Sequence, residues 1–140
     1  GYEDVLVQGG MLALLQTLNS LLHRQDSICY LLLALSNISP AVTEKESCEQ
    51  VVRMLFSITQ RLDVLKQRHR AHFVAQVFCN YSRLSAYSLL LVEEGLLQLL
   101  MHLIDAHRHD LILQPCTETL ANLSANRKNR SLLSFHPIIL

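Results

Sequence analysis

The stretches ICYLLLALSNIS (Ile28 to Ser39), AHFVAQVFCNYS (Ala71 to Ser82) and LQPCTETLANLS (Leu113 to Ser124) fall into register when the chain is laid on itself. Each carries Asn, one further residue, then Ser. Asn37, Asn80 and Asn122 stand 43 and 42 residues apart, a period that marks a helical solenoid. The apolar positions match as well. Ile28, Leu31, Leu35 and Ile38 have counterparts in Ala71, Val74, Phe78 and Tyr81, then in Leu113, Cys116, Leu120 and Leu123. Each set makes one stripe on one helix face. A single such stripe cannot bury itself, whereas stacked copies bury it continuously.

A second helix precedes each stretch. Gly10 is followed by Leu12, Leu15, Leu18 and Leu22, and Gly95 by Leu97, Leu100 and Leu103; the two glycines are 85 residues apart, two repeat lengths. Glycine here breaks the preceding helix and permits a sharp turn. The middle copy reads Val52, Leu55, Ile58 and Leu62 and lacks the glycine, with Gln50 or Arg53 nearby. A short third element precedes each of these. Val5 to Gln8 is a remnant, Ala86 to Glu93 a fuller copy, and Asn129 to Phe135 the start of another, with Pro137 opening the next helix. The middle copy, Thr43 to Glu49, is polar and degenerate. Pro40 parts it from the helix before, and Thr43 or Ser47 is its expected cap.

Composition agrees with helices. The 140 residues include 30 Leu but only four Gly and three Pro, which disfavours disorder and turn-rich β architectures. Twelve basic and twelve acidic side chains cancel, so global charge makes no case for nucleic acid or membrane. The longest apolar run, Ile28 to Leu35, is eight residues, too short to span a bilayer. Cys29, Cys48, Cys79 and Cys116 form no CxxC and read as free buried thiols of a reducing compartment.

A unit of short helix, second helix and longer third helix resembles the armadillo repeat family over nearly the whole chain. GGMLALLQTL and EGLLQLLMHL are similar to its glycine-led second helix, LALSNIS and TLANLS to the end of its third, and SANRKNRSLL to its inter-repeat junction. HEAT repeats are the nearest alternative. The resemblance implies an all-α, right-handed superhelical solenoid. Its units would be residues 1–39, 40–82 and 83–124, with the start of a fourth at 125–140. Ile138 to Leu140 stand where a core-forming helix should begin, so the array is expected to extend, or this edge to be covered by a partner.

In armadillo proteins the third helices line the concave face, so the resemblance places Asn37, Asn80 and Asn122 there as a ladder. A carboxamide donates and accepts, and so pairs with both groups of an extended peptide backbone. The alternative role for such an Asn is capping or packing its own helix end. Residues seven and four before each Asn share the face: Tyr30 and Leu33, Phe73 and Gln76, Pro115 and Glu118. Nuclear-import adaptors of the family carry Trp four residues before the ladder Asn. This chain has no Trp, and Leu33, Gln76 and Glu118 stand there instead, which argues against a receptor for nuclear-localisation signals.

Residues 61–140 hold nine basic and six acidic side chains, with clusters at Lys66, Arg68 and Arg70 and at Arg127, Lys128 and Arg130. Arg68, Arg70 and His72 are candidate contacts to an acidic partner. No phosphate loop, GxSxG elbow or HExxH occurs, and Glu93–Glu94 are helix neighbours that point apart rather than an acid/base dyad. His69 with His72 and His107 with His109 lack cysteines at zinc spacing. No enzyme activity, cofactor, metal or small-molecule substrate is expected. The expected function is that of an intracellular scaffold or adaptor, cytoplasmic or nuclear, binding a protein segment along its concave face. The alternatives are self-assembly through the apolar C-terminal edge and, less favoured, nucleic-acid binding through the basic half.

Overall fold

The computed structural model describes residues 44–133 together with positions 9, 10, 12, 13, 16, 32 and 36, and residues 131–133 by their backbone alone. Six helices follow one another over 44–133: α1 (Lys45–Arg61), α2 (Arg68–Ser82), α3 (Ser85–Glu94), α4 (Leu96–His107), α5 (Asp110–Ser124) and α6 (Arg127–Leu133). No strand occurs among the described residues. Ile28 to Leu31, Leu35 and Ile38 lie outside them.

The expected stripes become the core. Val52, Leu55, Ile58 and Leu62 are buried on α1 and just past its end, as are Ala71, Val74, Phe78 and Tyr81 on α2 and Leu97, Leu100 and Leu103 on α4. On α5, Cys116 and Leu123 are fully buried while Leu113 and Leu120 are half-buried. The units stack like on like: third helix α5 lies along third helix α2, and α3 lies along α1. Phe56 of α1 meets Phe78 of α2 with ring centroids 5.0 Å apart. At the corner between units Tyr81 meets Tyr87 edge-on, centroids 4.9 Å apart, an arrangement the ring quadrupoles favour.

The two units differ at one joint. In the later unit α3 ends at Gly95, whose φ of 106° no L side chain adopts without strain, and α4 leaves in a new direction. In the earlier unit no glycine stands at the matching place, and the expected short element at 43–49 is not separate: Lys45–Arg61 is one unbroken helix. Its N-cap is Glu44, which makes no side-chain capping bond, so the capping expected of Ser47 is not found; Thr43 lies outside the described residues. The physical reason is simple, since nothing in ESCEQVVRML breaks a helix. Gly10, expected to act as Gly95 does, is itself helical and lacks a positive φ.

Both second helices end in the left-handed region without glycine, at Asp63 (φ 54°) and Arg108 (φ 45°). Long-range bonds hold these two turns. Arg70 donates to the Leu62 carbonyl at 3.0 Å, and His107 donates from Nε2 to the Val64 carbonyl at 2.6 Å. The second contact brings the end of α4 to the loop after α1.

Candidate functional site

The third helices carry the candidate surface. Asn80 and Asn122 sit near the C-terminal ends of α2 and α5 and reach backward across the stack. Asn80 Nδ2 donates to Ser36 Oγ of the preceding repeat at 2.9 Å. Asn122 Nδ2 donates to Ser82 Oγ at 3.0 Å and approaches the Cys79 carbonyl at 3.5 Å. The ladder amides are therefore staples between successive third helices. Asn129 repeats the device on the first helices, donating to Ser88 Oγ at 2.7 Å and to the Leu123 carbonyl at 3.2 Å. The closing Ser of the Asn-x-Ser pattern is one acceptor of this staple; Ser36 and Ser88, also acceptors, carry no such signal in the sequence.

Both Asn side chains remain half-buried rather than closed off. Around Asn80, Gln76 Nε2 donates to Asn80 Oδ1 at 3.2 Å, and Arg83 approaches the same oxygen at 3.4 Å. Arg83 also pairs with Glu118 at 3.5 Å, the two side chains 55% and 46% exposed, so the pair is solvent-screened and worth little to stability. Glu118 in turn accepts from the Cys79 thiol at 3.5 Å. Gln76, Asn80, Arg83 and Glu118 thus form one connected polar strip across α2 and α5, to which Asn122 is joined through Cys79. Arg83, which the sequence offers with His69 and His72 as a modest basic groove in the middle repeat, joins the strip through these two contacts. It belongs to the strip because it follows the helix end by one residue.

Phe73 is half-buried and packs against the core, its ring 5.9 Å from that of His72. Pro115, expected on the open face, is buried instead. It sits inside α5 and has no N–H, which leaves the Leu111 carbonyl one turn back without its helical donor. His72 supplies the substitute: its Nδ1 lies 2.9 Å from that oxygen, and since a carbonyl only accepts, Nδ1 carries the proton. Arg70 is likewise engaged in the bond to Leu62, while Arg68 is exposed at the start of α2. Of the three candidate acidic-partner contacts, two already hold the fold. Tyr30, Leu33, Asn37 and the apolar edge Ile138 to Leu140 lie outside the described residues.

The thiols are inert by environment. Cys48, Cys79 and Cys116 are free and fully buried; Cys29 lies outside the described residues. Burial pushes the Cys116 thiol up to about 12 and raises Cys79 and Cys48, the last beside the Tyr87 hydroxyl, itself raised by burial. Among the described residues no group of three His, Cys, Asp or Glu could hold a metal ion. No helix among them is long and apolar enough to cross a membrane.

A family model for the armadillo/β-catenin-like repeat matches residues 85–125, that is, α3, α4 and α5. Neither the curated proteins nor the solved structures give a match.

Proposed function

With residues 85–125 an armadillo-like repeat, of a kind that generally mediates protein–protein interaction, we propose that this chain is a non-catalytic scaffold or adaptor inside the cell. It binds an extended or helical segment of a partner protein along the face made by its third helices. The observation that supports this reading is the connected strip Gln76, Asn80, Arg83, Glu118 and Asn122, half-open to solvent on two stacked third helices. Such a strip offers amide and charged groups at the repeat spacing, which suits a ligand that brings backbone N–H and C=O groups at regular intervals. Asn122 contributes its carbonyl oxygen and Asn80 its second amide hydrogen, so the staples and the ligand contacts coexist. By the sequence repeat, Tyr30, Leu33 and Asn37 are the counterparts in the first unit that would take the same ligand.

The test keeps the staples intact. Gln76→Ala with Glu118→Ala alters exposed or half-exposed side chains, and its melting temperature is expected to match the parent. Proteins captured from cell extract by the parent and lost by this variant, identified by mass spectrometry, support the groove. An unchanged set of captured proteins on a folded variant overturns it.

A further inference from the structure

The missing hinge in the earlier unit leaves a second surface, away from the third helices. α1 lies along α3, but α4 turns off at Gly95 while α1 runs straight on, and the two second helices pack together only slightly. The space between them is a groove of about 510 Å³, within the range of a site that seats a ligand or a partner's side chains. Its walls include Phe56 of α1 and Leu99 of α4, with Leu65 of the following loop at one end. Leu65 is 47% exposed, one of two large apolar side chains so open among the described residues.

The other end of the groove is negative. α3 terminates there in Glu93–Glu94, both exposed, with no basic residue in its last turn. This is the negative end of the helix dipole, where carboxylates are unfavourable and cations are favoured. Neither glutamate makes an ion pair among the described residues, and Asp63 at the loop end makes none either. Lys66 stands beside Asp63, whereas at the other end Glu94 lines the groove and the adjoining hollow holds Glu49, Glu93 and Glu94 against the single cation Arg53, so the excess negative charge gathers there.

We propose that this groove docks an amphipathic helix of a partner protein. Its apolar side chains lie between Phe56, Leu65 and Leu99, and a Lys or Arg of the same helix pairs with Glu94, while Glu93 adds to the negative field at that end. Apolar shape selects the helix and charge sets its direction. This surface is independent of the third-helix strip, so one chain holds two partner segments at once.

The test uses a short designed amphipathic helix of Leu and Lys, and its Leu and Glu counterpart, titrated into the isotope-labelled chain by NMR. The Leu/Lys peptide is expected to move the amide signals of Gln60, Gln98 and His102, and the Leu/Glu peptide to leave them in place. Glu93→Gln with Glu94→Gln should weaken the Leu/Lys peptide about fivefold, and Leu65→Ser by a similar factor; both change exposed side chains, and unchanged melting curves certify the fold. Equal affinity for the two peptides, signals that move on Gln76, Asn80 and Glu118 instead, no movement at all, or indifference to both variants would each overturn the proposal.

Discussion

At the scale of single residues the molecule is held by amides and one histidine doing jobs that backbone geometry leaves open. Asn122→Ala removes the bond to Ser82 and is expected to cost about 1 kcal/mol. A thermal-melt cycle with Ser82→Ala should show coupling, since each single change already breaks the same bond. His72 is a sharper case. It answers a donor that Pro115 lacks, so His72→Ala should cost about 0.5–1 kcal/mol in the parent and close to nothing once Pro115→Ala restores the helical N–H to Leu111. Additive losses in that double-mutant cycle would refute the linkage. The Asn-x-Ser repeat was legible in the sequence as a ladder. The staple was not, because a bond between residues 40 apart depends on how one helix lies on the next, and periodicity carries no such angle. The same limit hid the burial of Pro115: spacing places it on the face of Asn122, yet its side chain is buried.

At the scale of elements, what decides the shape is where a helix is allowed to end. Gly95→Ala is expected to lose about 1–2 kcal/mol. The added Cβ would meet only the mobile Gln98 Oε1 at 3.2 Å, so the loss comes from the φ of 106° rather than from crowding. The reverse change is informative at Arg108, whose φ of 45° already stands where glycine is favoured: Arg108→Gly should gain about 0.5 kcal/mol, read as a higher melting temperature. Helix type was legible throughout, because apolar stripes at 3.6-residue spacing on α1, α2 and α4 are the ones that became core. The union of 45–61 into one helix was not anticipated. A degenerate polar stretch reads as a weak element in isolation, but Cys48 within it and Val51 just after it are buried where this helix lies along α3, and packing rather than local polarity decides.

At the scale of the whole molecule the interior is stitched from stacked stripes into which three thiols and a tyrosine hydroxyl are sealed, and this sets the response to alkali. Cys116 is raised to about 12 by burial, with Cys79, Cys48 and Tyr87 raised in the same direction for the same reason. A group that ionises less readily folded than unfolded stabilises the native state fully while pH lies below its unfolded value, here 9.0 for a thiol. Above that, the unfolded chain sheds the proton and the native chain does not, so stability drains until pH passes the folded value. Each buried thiol contributes at most about 1.4 kcal/mol per pH unit over its own window. Denaturant midpoints should therefore be flat up to about pH 9 and fall steeply from there toward 12. Cys116→Ala starts lower, having lost a buried side chain, but its curve should descend less steeply over that interval. Because Cys116 and Cys79 lie in the seam where α5 stacks on α2, the loss should appear as separation of the units, seen first as exchange of the amide protons of those two helices. A variant curve parallel to the parent's from pH 9 to 12 would show that the seam is not what titrates.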